Sequence, residues 1–275
     1  MPAPVRTKES LQPSRLRQRR RKVRTYRIVA LVVFVLLLVG GIIGFFYMPF
    51  IRARDVEVTG AQTVDPKRVE ETIRAQLRGY IGYVLPKNNA FLYNEQNIRS
   101  SVLSEYPKIK EIKITLKNFH TINANIDERM PAALWCGELQ DATSPCFYID
   151  DSGVVYEGAP TYSGDAYVRW YGKVIGGPLG GDYLSGGFPS LLALIGELDK
   201  EGLQPHEIVV EDNGDVHAYY NGGFILLFTL GQKPEAILTA LHAAENADVF
   251  QGKKLTDLSY LDLRFLGNRL YYKLK

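Results

Sequence analysis

The longest uncharged stretch of the chain separates Arg27 from Arg52, and it constrains the fold more than any other feature. Residues 28–47 (IVALVVFVLLLVGGIIGFFY) are apolar, aromatic or glycine throughout. Twenty helical residues rise about 30 Å, which matches the hydrocarbon core of a bilayer. The sequence therefore predicts a transmembrane helix over residues 28–48. A cleaved signal peptide is the alternative, but the stretch exceeds an ordinary signal core, and residues 45–50 (FFYMPF) offer no small-x-small cleavage site.

Charge is distributed unevenly on the two sides of this stretch. Residues 1–27 carry ten Lys or Arg against the single acidic Glu9, whereas the rest of the chain carries 23 basic and 29 acidic residues. Because basic flanks are retained in the cytoplasm, we predict a basic cytoplasmic tail over residues 1–27 and an extracytoplasmic region after the span. Nucleic-acid binding is the alternative role for the basic run, but the run lacks interleaved aromatic residues and adjoins a membrane span, so no nucleic-acid partner is expected.

The two cysteines, Cys136 and Cys146, both lie in the predicted extracytoplasmic region, where disulfides form and persist. We predict that they pair. The bond would close a loop of about 11 residues and restrict the unfolded chain by roughly 3 kcal/mol. The alternative is a pair of separate buried thiols.

Residues 51–128 have the pattern of a small α+β domain. Apolar and polar residues alternate in the strand-like segments, and N-cap residues precede apolar residues at helical spacing in the helix-like segments. We expect two helices to cover one face of a sheet. In chain order, the segments are a strand at 54–60, helices at 65–77 and 94–105, and strands at 109–116 and 121–127.

Residues 129–275 predict a mainly antiparallel β domain with two packed helices. Asp, Asn and Gly mark its turns, and the turns at 212–214 and 221–223 predict a three-stranded meander over residues 208–229. The glycine-rich stretch 176–187 is interpreted as a mobile loop. The predicted strands are 132–135, 147–149, 154–156, 166–170, 207–210, 216–220, 224–230, 259–265 and 269–274, and the predicted helices are 189–201 and 234–246.

No motif in the sequence indicates catalysis. Residues 148–153 (YIDDSG) resemble an aspartic-protease loop, but that chemistry needs a second carboxylate loop, and Asp-Ser-Gly between two strands is ordinary turn chemistry. The four histidines lack the spacing of a zinc site or of a Ser-His-Asp triad. We therefore predict no catalytic residue, metal, cofactor or small-molecule substrate.

The predicted terminal hairpin is the strongest candidate for a binding site. The last strand has no further chain to cover it, and an uncovered edge can accept a strand from a partner through main-chain hydrogen bonds. The alternative is that the strand pairs within its own sheet.

With this order of elements the chain resembles the FtsQ/DivIB family of bacterial cell-division proteins. The resemblance covers roughly residues 20–275 and is carried by residues 56–60 (VEVTG), 128–135 (ERMPAALW), 149–156 (IDDSGVVY) and 260–265 (YLDLRF). It implies a single-pass protein of the cytoplasmic membrane, located at the division septum, with a POTRA-type domain at 51–128 and a β domain at 129–275.

The family resemblance also implies a non-catalytic scaffold that recruits FtsB-like and FtsL-like membrane proteins for septum formation. By similarity, a partner strand adds near the last strands, which implies contact roles for Tyr260, Asp262, Arg264, Phe265, Leu270, Tyr271 and Tyr272. The chain departs from the family in the linker at 79–93, the glycine-rich stretch and the cysteine pair.

Two alternative functions remain open. A POTRA-containing outer-membrane assembly factor would require a transmembrane barrel, and nothing in the sequence resembles the necessary number of lipid-facing strands. A membrane-anchored extracytoplasmic cell-wall enzyme would require a catalytic pair in a cleft.

Overall fold

The computed structural model describes residues 15–141, 143–161, 167–247, 254–265 and 270–275. The chain is an α+β protein that begins with a long helix, α1 (Arg15–Phe46). Within the described ranges, residues 21–46 of α1 form the one helix long and apolar enough to cross a membrane, and none of its span packs inside the protein. The helix begins earlier than the predicted boundary at residue 28, because Arg and Lys are good helix formers and no Gly or Pro separates them from the span.

A small sheet with two helices follows α1. Its elements are β1 (Asp55–Thr59), α2 (Pro66–Leu77), β2 (Tyr80–Ile81), β3 (Leu85–Pro86), α3 (Glu95–Glu105), β4 (Ile109–Lys117) and β5 (Thr121–Glu128). In this part of the described chain, β5 pairs antiparallel with β4 and parallel with β1, which gives the order β1-β5-β4. The predicted sequence of strand, helix, helix, strand and strand is therefore confirmed, with the β2–β3 hairpin as an addition inside the linker.

Local chemistry explains both helices. The Asp65 carboxylate accepts a hydrogen bond from Lys67 N at the start of α2, and the Asn94 side chain accepts one from Asn97 N at the start of α3. Each helix buries its apolar stripe against the small sheet. The buried residues are Val69, Ile73 and Leu77 of α2 and Ile98 and Val102 of α3.

The elements that follow form a larger sheet, a short hairpin of β10 and β11, and two helices. In chain order they are β6 (Ala133–Trp135), β7 (Phe147–Ile149), β8 (Val155–Gly158), β9 (Arg169–Tyr171), β10 (Val174–Ile175), β11 (Asp182–Tyr183), α4 (Phe188–Lys200), β12 (Pro205–Val210), β13 (Asp215–Tyr220), β14 (Ile225–Thr229), α5 (Pro234–Glu245), β15 (Leu258–Asp262) and β16 (Tyr271–Leu274).

The strands of this sheet are mainly antiparallel, as predicted, but three neighbouring pairs are parallel. Among the described residues the order is β16-β15-β14-β13-β12-β9-β6-β7-β8. The parallel pairs are β6 with β9, β9 with β12, and β14 with β15. The predicted meander corresponds to β12, β13 and β14 and is confirmed. Apolar residues of α4 and α5 join the strands in one buried cluster, so both helices cover the sheet.

The glycine-rich stretch 176–187 differs from the predicted mobile loop. It contains β11, which pairs with β10 in a short hairpin, and the hairpin is tied to β8 by Gly180 N to Val155 O at 2.7 Å and Val155 N to Gly181 O at 3.0 Å. A Cβ on Gly181 would lie 1.9 Å from the Gly177 carbonyl oxygen. Glycine is therefore required here for close backbone approach rather than for mobility.

The terminal strands are shorter than predicted. The strand expected at 259–265 ends at Asp262, and the strand expected from 269 begins at Tyr271. The predicted turn residues 266–268 and Arg269 lie outside the described residues, as does Ala166 at the start of another predicted strand.

Candidate functional site

The last strand, β16, is at one end of the large sheet. It pairs antiparallel with β15, and no other strand of the described chain pairs with its outer side. An edge strand presents alternate N–H and C=O groups away from its sheet. The position of β16 agrees with the predicted open edge rather than with a pairing inside the sheet.

The hydrogen bonds around β15 show which backbone groups point outward. Leu263 N donates to Leu227 O of β14 at 2.7 Å, and Lys275 N donates to Asp257 O at 3.1 Å. Because backbone groups alternate along a strand, those of Tyr271 and Lys273 face β15, and the Leu274 N–H faces outward. The Leu274 carbonyl oxygen accepts a hydrogen bond from Ser259 Oγ of β15 at 3.3 Å, so Leu274 offers its main-chain donor to an added strand.

Exposed aromatic side chains surround the start of β16. The Phe265 side chain is 64% exposed and meets the half-exposed Tyr271 ring edge to face, with ring centroids 6.3 Å apart. The Arg264 guanidinium carbon lies 5.7 Å from the Phe265 ring centroid. Large aromatic groups beside arginine are the side chains that contribute most to protein interfaces.

A network of ion pairs holds the end of β15 in place. Arg264 donates from Nε and Nη2 to the two oxygens of Asp262, at 3.0 and 2.7 Å, and from Nη1 to Asp215 Oδ2 at 2.7 Å. The Arg264 backbone N–H also donates to Asp262 Oδ1 at 3.0 Å. The bidentate geometry fixes the chain directly before Phe265 and so orients the exposed ring.

The electrostatics of this network favour the charged forms of Asp262 and Arg264. Burial alone would raise the pKa of Asp262, which is 7% exposed, but the hydrogen bonds and the charge of Arg264 outweigh burial and lower that pKa. Hydrogen bonds to Asp262 and Asp215 raise the pKa of Arg264. Asp262 and Arg264 therefore stay ionised at neutral pH.

The structure brings all seven predicted contact residues to one end of the large sheet, but in different environments. Phe265, Tyr271 and Tyr272 are exposed, whereas Tyr260 is partly exposed in the interior strand β15. Asp262 is buried, Arg264 forms ion pairs with Asp215 and Asp262, and Leu270 is partly buried against the core. Asp262 and Arg264 therefore hold the end of β15 in place, and the exposed aromatic residues form the surface of the candidate site.

A second feature, at the junction of the two sheets, was not assigned by sequence reasoning. Arg129 directly follows β5, and it donates from Nη1 to the fully buried Asp150 and from Nε to Pro107 O at 2.9 Å. Lys108 pairs with Glu157 at 2.7 Å. These contacts link the small sheet to the large one. Two features of the sequence could have indicated this junction, namely Arg129 within residues 128–135 (ERMPAALW) and the turn that begins at Asp150.

The Asp-Ser-Gly segment is a turn, as predicted. Asp150 Oδ1 accepts hydrogen bonds from Ser152 N at 3.0 Å, Ser152 Oγ at 2.7 Å and Val154 N at 2.9 Å. Burial opposes ionisation, but these bonds and Arg129 lower the pKa of Asp150. The Asp150 carboxylate therefore stabilises both the turn and the contact with Arg129 at the junction.

One group in the described chain has donor atoms close enough to suggest a cation site. Single ligand atoms of Glu211, Asp215 and His217 lie within 4.8 Å of one another. However, Asp215 Oδ2 already accepts from Arg264 at 2.7 Å and from Asn213 at 3.2 Å. A guanidinium at that distance disfavours a second positive charge, so the group is better explained as part of the ion-pair network.

The predicted disulfide is confirmed. Cys136 and Cys146 are joined with an S–S distance of 2.03 Å, and they connect the end of β6 to the start of β7. The bond closes the β6–β7 connection.

Comparison with known proteins adds no relative. No protein-family model matches the chain, and no curated protein matches its sequence significantly.

Proposed function

We propose that the chain is a single-pass protein of the cytoplasmic membrane that acts as a non-catalytic scaffold of the cell-division machinery, of the FtsQ/DivIB type. Its basic tail lies in the cytoplasm and its two sheets lie outside. The scaffold recruits FtsB-like and FtsL-like membrane proteins to the septum by accepting a partner strand at the outer edge of β16.

The observation that carries this proposal is the edge position of β16, whose outer side pairs with no strand of the residues that the structure describes. An added strand gains affinity from backbone hydrogen bonds and specificity from alternate side chains. Here Leu274 supplies an outward backbone N–H, and Phe265 and Tyr271 supply adjacent exposed rings. A partner strand that continued the sheet would therefore contact both the edge and the aromatic pair.

The arrangement of the small sheet supports a POTRA-type domain. Two helices connect β1 to β4, and β1 pairs in parallel with the last strand, β5. The apolar helix α1 directly before this unit supports the anchored state. Placement of the large sheet after the small one agrees with the order of domains that the family resemblance implies.

Site-specific photocrosslinking in growing cells tests the proposal. We place the photoreactive residue at Phe265 or Tyr271, with Lys67 at the exposed start of α2 as the control position. We expect adducts with small single-pass division proteins at the first two positions and none at Lys67. Equal adducts at all three positions, or none at the edge, would reject the binding site.

A proline variant tests strand addition itself. Leu274→Pro removes one outward N–H donor, whereas the matched Leu274→Ala keeps the donor and removes only the side chain. Because a single hydrogen bond contributes about 1 kcal/mol, we expect Leu274→Pro to lower adduct yield at Phe265 about five-fold relative to Leu274→Ala. Equal yields from the two variants would show that the partner does not use the strand edge.

A further inference from the structure

The short β2–β3 hairpin is attached to the outer end of the apolar helix. The Tyr47 hydroxyl, one residue beyond α1, donates to the carbonyl oxygen of Val84, and Asn89 Nδ2 donates to Phe46 O at 2.9 Å. The Asn89 side chain is fully buried, and Ala90 N donates to Ile51 O at 2.7 Å. The hairpin is therefore held at the level where α1 ends.

The tip of this hairpin is apolar and exposed. Tyr83 is 99% exposed and has a positive φ of 64°, and Tyr80, Ile81 and Val84 are exposed beside it. A tyrosine held outward in the left-handed region is uncommon for a residue without a local role. Further exposed aromatic side chains follow the helix. The Phe50 ring lies 6.5 Å from the Phe45 ring of α1, and Phe91, two residues after Asn89, meets Phe119 with ring centroids 6.0 Å apart.

A basic pocket adjoins the hairpin. Arg52, Arg54, Arg74 and Arg78 line it together with Tyr80 and Asn88. Arg74 is held by Glu70 at 2.7 Å and by a hydrogen bond to the Arg54 carbonyl oxygen at 2.7 Å. The other three arginines form no ion pair with any residue that the structure describes, so the pocket has an uncompensated positive charge.

We propose that the β2–β3 hairpin lies in the headgroup region of the extracytoplasmic leaflet and that the arginine pocket binds the phosphate of an anionic phospholipid. Tyrosine is enriched at the membrane interface, where its ring meets the apolar side and its hydroxyl meets water. Guanidinium groups bind phosphate oxygens in a bidentate manner. This inference rests on the proposed membrane anchoring and not on the proposed division partners.

Because the hairpin is attached to the end of α1, phospholipid is the expected occupant of the hairpin and the arginine pocket. Residues 28–46 rise about 28 Å, so Phe46 lies near the outer boundary of the hydrocarbon core when the helix spans a bilayer. Val84 contacts the next residue, Tyr47, and must lie at nearly the same depth. A soluble protein partner would have to displace headgroups to reach the hairpin, whereas phospholipid is already present at that depth.

Tryptophan quenching in vesicles tests the depth of the hairpin. The full chain is reconstituted with phospholipids whose acyl chains are brominated either near the headgroup (shallow) or near the methyl end (deep). The variants are Tyr83→Trp, Lys67→Trp at the start of α2, and Phe34→Trp within the span. Each is compared with the parent, whose two tryptophans, Trp135 and Trp170, are buried in the large sheet. We expect Tyr83→Trp to be quenched at least about two-fold more than Lys67→Trp.

The Phe34→Trp variant distinguishes failure of the membrane anchor from failure of the hairpin proposal. If Phe34→Trp is quenched and Tyr83→Trp is not, the anchor is retained and the hairpin proposal is overturned. If Phe34→Trp is not quenched by deep or shallow bromine, the anchoring fails and the inference fails with it. Neither result depends on a division partner.

Lipid retention tests the pocket. The chain is extracted from bilayers that contain phosphatidylglycerol and phosphatidylcholine, and bound lipids are counted by native mass spectrometry. We expect phosphatidylglycerol to be enriched, and the double variant Arg54→Glu/Arg78→Glu to lose about ten-fold of that enrichment, because it removes charge-assisted hydrogen bonds to the phosphate.

The matched control is Lys67→Glu/Arg68→Glu, which reverses two exposed charges at the start of α2. All variants keep the basic tail, so a difference between them reports the pocket. Equal loss in the control, unchanged enrichment in the double variant, or displacement of the lipid by millimolar inorganic phosphate would each overturn a lipid site.

Discussion

The carboxylate at the end of β5 allows the sharpest test of how this chain is stabilised. Glu128 is 8% exposed, and its Oε1 accepts hydrogen bonds from the backbone N–H groups of Gln62 at 2.7 Å, Thr63 at 3.0 Å and Val64 at 3.0 Å. The Thr63 hydroxyl donates to the other oxygen. The side chain thus closes the loop between β1 and α2.

The pH dependence of this contribution follows from the pKa. Burial raises the pKa of Glu128, but the hydrogen bonds from Thr63, Val64 and Gln62 outweigh burial and lower it from 4.5 to about 2. A depressed carboxyl pKa contributes stability that is present above the unfolded value and is lost as pH falls from 4.5 through 2. At 1.36 kcal/mol per unit, the contribution at pH 7 is about 3 kcal/mol.

Glu128→Gln removes the charge and places an amide NH₂ where an acceptor is needed. We expect the small sheet to lose about 3 kcal/mol of unfolding free energy at pH 7, and the difference from the parent to shrink toward pH 2. Residues 51–128 contain no tryptophan, so unfolding is followed by hydrogen exchange in urea on peptides from β4 and β5.

The matched control is Glu57→Gln, which removes a half-exposed ion pair with Lys117 on the same sheet. An exposed pair contributes less than about 1 kcal/mol, so this variant should change little. A loss for Glu128→Gln that stayed constant between pH 7 and pH 2, or that equalled the control, would refute the reasoning.

Three further outcomes are expected. Arg129→Ala leaves the buried Asp150 carboxylate without its cation and should cost about 3–5 kcal/mol, measured by urea unfolding with Trp fluorescence, whereas Arg129→Lys should recover part of the loss. Replacing Cys136 and Cys146 with serine should cost roughly 3 kcal/mol in the same assay, and reductant should abolish the difference from the parent. Gly60→Ala should destabilise the small sheet by more than about 2 kcal/mol by hydrogen exchange, because φ is +85° and the new Cβ would lie 2.2 Å from a β5 carbonyl oxygen.

Local patterns were enough to predict the helices and the hairpins with strong turn residues. The capped starts of α2 and α3 and the turns between β12, β13 and β14 depend on residues within a few positions of one another. The parallel pairing of β14 with β15 could not be predicted from local patterns, because the two strands are about 30 residues apart. The alternation of apolar and polar residues in each strand is compatible with several partner strands.

The predicted contact residues lie together at one end of the large sheet, but their individual contacts were not predicted. The terminal strands were assigned correctly as a pair, because apolar and polar residues alternate in both. Arg264 was predicted as a contact residue, but it is bound to Asp215, which lies 49 positions earlier, and only the sheet order brings these two together. The β2–β3 hairpin was taken for a linker because two-residue strands carry too little alternation to be recognised.

The junction connects the small sheet, which follows the apolar helix α1, to the large sheet, which carries the proposed binding edge. Arg129 bridges the buried Asp150 and the Pro107 carbonyl oxygen, and Lys110 adds a pair with Asp151 at 2.7 Å. A buried ion pair with further hydrogen bonds fixes orientation more than it adds stability. Under the proposed function, the edge of β16 is thereby held at one distance and direction from the membrane. Partners anchored in the same membrane would meet that edge at a defined height, so binding should depend on the junction as well as on the strand.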